Sequence, residues 1–239
     1  MTSLARDRDR PGAWVLMAGG LRQSFVDLAD PTHLELPYTQ HVADAVDTGL
    51  PTPRPLRAVH VGGGGMTLPR WLAATRPGST SLVLEPDAAV AGAAASLGEV
   101  AGVELRVVDG RTGLLGVAGR SQDLVVGDAF CGRVVPAELL EGEHVAQVAR
   151  VLRADGVYVL NLIDDPPFAR TRAALGPVLG HWPQVGLIAD GSLVAGHHGG
   201  NVIVVAGTAI DWAELARRIA LRPGPLVVLD PAATESWYR

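Results

Sequence analysis

The amino-acid sequence predicts an α/β fold: a mostly parallel sheet layered between helices, closed by an antiparallel strand pair and preceded by a small β-hairpin unit. Three observations carry this. From Leu56 onward, strand-like and helix-like segments alternate at the spacing of right-handed βαβ crossovers. Several strands are short and wholly apolar, such as Leu124-Val125-Val126, as a sheet buried on both faces requires. Glycines or acids then punctuate the C-terminal ends of successive strands.

Taken in order, residues 1–10 are charged and read as a frayed tail. Residues 11–55 form a small unit. Its strand-like runs are Ala13–Met17 and Gln23–Leu28 around Gly19-Gly20, followed by His33-Leu34-Glu35-Leu36. Val42, Ala45 and Val46 recur at helical spacing over Tyr38–Thr48, and Gly49, Pro51, Pro53 and Pro55 end that helix in a linker. Residues 56–239 are the main domain. Strands are predicted at Ala58–Val61, Ser81–Leu84, Val103–Val108, Leu124–Val126 and Val157–Leu162, and helices at Thr67–Thr75, Ala88–Leu97, Ala137–Leu152 and Phe168–Leu179. Val185–Ile188 and Asn201–Val205 form the antiparallel pair, and Trp212–Ala220 is one more amphipathic helix. The last ten residues carry no readable pattern.

Composition narrows the chemistry. At 239 residues and 48% hydrophobic, the chain can bury a substantial core. A net charge of -5 with no basic run argues against nucleic acid as a partner. All 20 basic residues are Arg, which excludes lysine Schiff-base chemistry and a complete phosphate-binding Walker motif. The single Cys131 cannot form an internal disulfide, and no CxxC or paired-His spacing suggests a metal site. With a charged N-terminus, no membrane-length apolar run and no disulfide, a cytoplasmic protein is expected.

The segment Val59-His60-Val61-Gly62-Gly63-Gly64-Gly65-Met66 runs a buried strand through four glycines into a helix. Such a loop lets a ligand approach the backbone closely beside unpaired helix N–H groups, although in isolation it could be only a tight turn. Glu85 closes the next strand about 20 residues on, where an acid can accept both hydroxyls of a ribose. Asp109-Gly110 follows the third strand and Asp128 the fourth. This ladder of strand-end groups points to a nucleoside.

On these residues, together with Gly19-Gly20-Leu21-Arg22-Gln23 and Tyr38-Thr39-Gln40, the chain resembles the spermidine synthase (aminopropyltransferase) family across nearly its whole length. The resemblance implies a Rossmann-like, class I S-adenosylmethionine-dependent methyltransferase sheet behind a small β-domain, a homodimer or homotetramer, and a site for S-adenosylmethionine, its decarboxylated form or methylthioadenosine. It implies that Glu85 holds the ribose, that Asp109-Gly110 meets the adenine, that Gln23 and Tyr38 border the acceptor, and that Asp128 is the first acid of the catalytic loop. Two departures stand out. The family's glycine loop carries an acid where this chain has Gly65, and Asp128-Ala129-Phe130-Cys131 places a cysteine where the second catalytic acid belongs.

An alkyl transfer to an unidentified small-molecule nucleophile, an amine among the candidates, is therefore expected, with Asp128 as a candidate general base and transfer to putrescine disfavoured. Gly65 tilts the expectation toward a donor that keeps its carboxylate, hence toward methyl transfer. A non-catalytic nucleoside-binding protein is the other class. Cys131 is read as a small apolar group, His197-His198 as solvent-exposed, Asp164-Asp165-Pro166-Pro167 as turn chemistry, and Trp71, Trp182 and Trp212 as core or oligomer contacts.

Overall fold

The computed structural model describes residues 1–239. Its strands are β1 (Thr2–Arg6), β2 (Ala13–Ala18), β3 (Leu21–Asp27), β4 (Arg57–Val61), β5 (Thr80–Leu84), β6 (Val103–Arg106), β7 (Gln122–Gly127), β8 (Leu152–Asp164), β9 (Gln184–Asp190), β10 (Gly200–Gly207) and β11 (Leu226–Leu229). Its helices are α1 (Pro37–Gly49), α2 (Thr67–Thr75), α3 (Ala88–Ser96), α4 (Gly110–Leu115), α5 (Gly142–Val151), α6 (Ala169–His181), α7 (Gly191–Val194), α8 (Trp212–Ile219) and α9 (Pro231–Tyr238), with a 3-10 turn at Ala137–Leu139.

An eight-stranded sheet has the order β11-β9-β10-β8-β7-β4-β5-β6. Strands β4 to β8 run parallel, while β10 is antiparallel to both β8 and β9. The expected α/β class, parallel core and terminal antiparallel pair are all present. The sheet separates two apolar layers. One gathers α4, α5 and α6 around Leu114, Val148, Tyr158 and Leu175, and the other gathers α1, α2 and α8 around Val46, Leu72, Val159 and Leu215. No helix is long and apolar enough to cross a membrane.

Several boundaries differ from expectation for local reasons. Residues 1–10 are not a frayed tail: β1 pairs with β2 from Thr2↔Ala18 to Arg6↔Trp14, Arg6 lies 5.0 Å over the Trp14 ring, and the Arg10 guanidinium bonds the buried Asp27. Its charges face outward while its backbone completes a three-stranded sheet. His33–Leu36 is accordingly not a strand. The helix expected over Ala137–Leu152 is interrupted because Glu141 is extended, so α5 begins only at Gly142 and β8 already starts at Leu152. Helix α4 carries no apolar periodicity because glycines at 110 and 113 take positions where side chains would strike Val61 and Leu84.

Of the three buried histidines, His41, His60 and His144, the last two are pushed furthest down. His60, in the middle of β4, is 3% exposed, and burial pushes its imidazole down to about 3. His144 is pushed down to about 4, first by burial and then by the Arg111 charge. Both are neutral in the folded chain and protonate on unfolding near their ordinary value of about 6.5. The unfolded state therefore binds more protons below that pH, and stability is lost as pH falls from about 6.5 toward these values. Urea unfolding between pH 6.5 and 4.5 should show a pH slope that becomes shallower by up to about 1.4 kcal/mol per unit in His60→Gln. An unchanged slope would remove His60 from this account.

Candidate functional site

The C-terminal ends of β7, β4, β5 and β6 lie side by side, and the groups that follow them form one row: Asp128, the Gly62–Gly65 loop, Glu85 and Asp109. At the usual strand spacing the row spans roughly 14 Å. It floors a cavity of about 400 Å³, the size of a small-molecule site. Of the residues expected from sequence, Gln23, Tyr38, Gly62, Gly63, Gly64, Glu85, Asp109, Gly110 and Asp128 line it.

Gly65 does not. A Cβ there would meet the Val26 side chain at 2.6 Å and that of Ser24 at 3.1 Å, and the Gly65 N–H donates to Ser24 Oγ at 2.8 Å. Strand β3 thus fills the space into which a side chain at position 65 would project.

Two glycines are demanded by close approach. Gly62 has φ +97 and a Cβ on it would collide with the Asp128 carbonyl, while Asp128 N–H donates to Val61 O at 2.8 Å. Gly110 opens α4 against Val61, where any Cβ would collide with the Val61 side chain. Between them lies a cradle that backbone alone can shape.

Glu85 is buried, and its two oxygens accept the N–H groups of Gly63 and Asp87, each at 2.9 Å. A carboxylate has about four acceptor positions, so two remain for a pair of hydroxyls. Asp109 caps α4 through Thr112 N–H at 2.9 Å, and this backbone bond holds its carboxyl below the usual range. Leu139, on the 3-10 turn, packs against Gly110 and brings Glu138 to the same end of the cavity.

At the other end stands Asp128. Tyr38 O–H donates to Oδ2 at 3.0 Å and Asn161 Nδ2 to Oδ1 at 2.8 Å, while Asn161 Oδ1 accepts from Asn201 Nδ2 at 2.9 Å. Burial raises the Asp128 carboxyl, and the Asn161 and Tyr38 bonds oppose that rise. Burial, reinforced by the Asp128 charge, holds the Tyr38 phenol well above its ordinary range, so it stays a proton donor. The relay from Asn201 through Asn161 was missed in sequence. Its one signal was a polar residue, 1% exposed, inside the apolar run Val159-Leu160-Asn161-Leu162.

Other residues fall as follows. Cys131 is exposed at the cavity rim, correcting the expectation of an apolar interior role, and it closes a turn through Cys131 N–H to Val134 O at 2.8 Å. His198 is exposed and lies 3.4 Å from Asp190. Asp164 is buried and caps α6 through Thr171 N–H at 2.8 Å and the Thr171 hydroxyl at 2.9 Å. Trp71 and Trp182 are core residues.

The cavity lining carries five carboxylates, Glu85, Asp87, Asp109, Asp128 and Glu138, and no arginine. Of the loop amides from Gly62 to Met66, Gly62 donates to Leu84 O, Gly63 to Glu85, Gly65 to Ser24 and Met66 to Gly63 O. Only the Gly64 N–H has no partner within the protein.

No protein-family model and no curated protein matches the sequence. Among solved structures, a probable spermidine synthase from Corynebacterium glutamicum matches with a TM-score of 0.90 at 24% identity, covering 99% of this chain and 90% of that one. Human methyltransferase-like protein 13 in complex with SAH gives 0.61 at 19% identity over 84% and 92%. A spermidine synthase in complex with the transition-state analogue AdoDATO gives 0.61 at 16% identity over 87% and 71%. The chain shares the fold of spermidine synthases and of S-adenosylmethionine-type methyltransferases, including the N-terminal sheet that the first match covers.

The Asn161 bond lowers the affinity of Asp128 for a proton. In Asn161→Ala the carboxyl should titrate at a higher pH than in the wild type, as followed by carbon NMR of labelled aspartate. An equal or lower midpoint would show that Asn161 does not stabilise the ionised form.

Proposed function

We propose that the protein is an alkyltransferase that takes an S-adenosyl-type sulfonium donor in its decarboxylated form and delivers the aminopropyl group to a nucleophile deprotonated by Asp128. The observation that carries this is the row of strand ends, which joins a half suited to a nucleoside (Gly62 to Gly64, Glu85, Asp109 and Gly110) to the half-buried Asp128 carboxylate in one cavity. The two glycines serve this reading by letting protein pack closely around the cavity, Gly62 against the Asp128 carbonyl and Gly110 against the Val61 side chain.

In this reading Glu85 accepts the ribose hydroxyls, Asp109 and the start of α4 meet the adenine, and Gly110 lets α4 close on Val61 at that end of the cavity. The bound donor supplies a carbon activated by a positively charged sulfur; when the nucleophile bonds to that carbon, the C–S pair passes to sulfur and a neutral thioether leaves. Asp128 accepts the proton of the nucleophile. Its raised carboxyl suits it to hold that proton, while Tyr38 and Asn161 fix both oxygens in place.

The preference for a decarboxylated donor follows from charge. A carboxylate at the sulfur end of this cavity would lie on the Asp128 side of a lining that holds no arginine, with one free loop N–H to receive it. Gln23 and the Ser24 hydroxyl offer neutral acceptors beside the glycine loop. The second reading, methyl transfer from S-adenosylmethionine, is favoured by one observation: no acid stands at Gly65 to receive the donor's ammonium. The neighbours in complex with SAH and with the transition-state analogue AdoDATO support an S-adenosyl-type ligand as a class.

Asp128→Asn separates chemistry from binding. We expect thioether release to fall by about 10²–10⁴-fold with methylthioadenosine affinity, read by calorimetry, within about twofold of wild type. Unchanged turnover in this variant would sink the role given to Asp128.

A further inference from the structure

The buried aspartates of this protein follow a pattern. Asp27 is paired with Arg10, Asp44 with Arg222 at 2.8 Å, Asp123 with Arg54 at 2.9 Å and Arg153 at 2.6 Å, and Asp164 with Arg170 at 3.3 Å. Each of these four aspartates has a guanidinium partner, whereas the buried Glu85 is held by the Gly63 and Asp87 N–H groups alone. Asp128 breaks the pattern. It holds only the neutral donors Tyr38 and Asn161, and no arginine lines its cavity. A ligand cation at Asp128 would supply the pairing that the four structural aspartates have.

How many cations that ligand can carry is set by the surroundings. The other four acids of the cavity belong to the nucleoside end: Glu85 follows β5, Asp87 starts α3, Asp109 follows β6 and Glu138 sits on the turn packed against Gly110. Around Asp128 the lining is neutral or apolar, from Ala18, Gln23 and Thr39 on one side and Ala129, Phe130 and Cys131 on the other. The Thr39 hydroxyl already donates to Leu36 O at 2.6 Å, and the only histidine of the lining, His60, is held neutral by burial.

Resting on the function proposed above, we propose that the acceptor is a primary monoamine with an apolar body, bound with its nitrogen at Asp128 and its carbon chain along Ala129, Phe130 and Cys131, and that α,ω-diamines are rejected. The Asp128 carboxylate takes one proton from the bound ammonium, the freed nitrogen lone pair attacks the donor carbon, the C–S bond breaks with its electrons on sulfur, and the product leaves as a secondary ammonium. A second ammonium would lie in the neutral half of the cavity with no anion to receive it.

The test uses the whole chain with decarboxylated S-adenosylmethionine, and in parallel S-adenosylmethionine, scoring thioether release with n-butylamine, n-hexylamine and 1,4-diaminobutane. The monoamines should exceed the diamine by at least about tenfold in kcat/KM, since the apolar body packs on Ala129 and Phe130 where a second ammonium has no anion. Cys131 is exposed, so Cys131→Asp should fold, and it should raise kcat/KM for 1,4-diaminobutane by at least about tenfold by supplying the second anion. A wild type that uses the diamine as well as butylamine overturns the proposal, and so does a Cys131→Asp variant with no gain. If no amine reacts while methylthioadenosine still binds by calorimetry, the acceptor class is wrong and the nucleoside reading stands. If methylthioadenosine does not bind, the underlying reading itself fails.

Discussion

The site depends on one close approach, where the first parallel strand leaves the sheet beside the fourth. Asp128 N–H bonds Val61 O at 2.8 Å, and the Asp128 carbonyl occupies the space that a side chain at Gly62 would need. That contact welds the glycine loop to the Asp128 loop. On one side of the weld the backbone turns left-handed and opens a cradle toward Glu85 and Gly110, and on the other it aims a carboxylate across the same cavity.

Charge then divides the cavity into two halves of different character. Glu85 and Asp109 spend their oxygens on backbone N–H groups at a strand end and a helix start, so they are held by the fold and can receive neutral hydroxyl and amine donors. Asp128 is held by two side chains instead, one from α1 and one from β8, and Asn201 from β10 holds the second of these. Three distant segments thus converge on one carboxyl group. Both donors are neutral, and no arginine lines the cavity beside this carboxyl group. The all-arginine composition sharpens the contrast: guanidinium groups are placed on the structural aspartates and kept away from the cavity.

Much of this was legible in the sequence because a parallel sheet buried on both faces writes itself as short apolar runs, and whatever ends each run must sit at the ligand-facing edge. Gly62, Glu85, Asp109 and Asp128 could be placed on that edge by counting strands. What could not be read depended on contacts between distant segments. The strand Thr2–Arg6 has no apolar signature of its own and is fixed by pairing with Ala13–Ala18. The occupation of the Gly65 space by Ser24 and Val26, and the relay through Asn161 and Asn201, arise where strands far apart in sequence meet. The exposure of Cys131 follows from a four-residue turn whose bonds are local but whose position over the cavity is not.

The central claim is that one cavity holds a nucleoside at its glycine end and presents Asp128 to the sulfur end. A crystal structure with methylthioadenosine bound tests it most directly. The account predicts ribose hydroxyls on Glu85, the adenine between Asp109 and the start of α4, and the thioether sulfur directed toward Asp128. A nucleoside bound elsewhere, or bound in this cavity with its sulfur pointing away from Asp128, would contradict it.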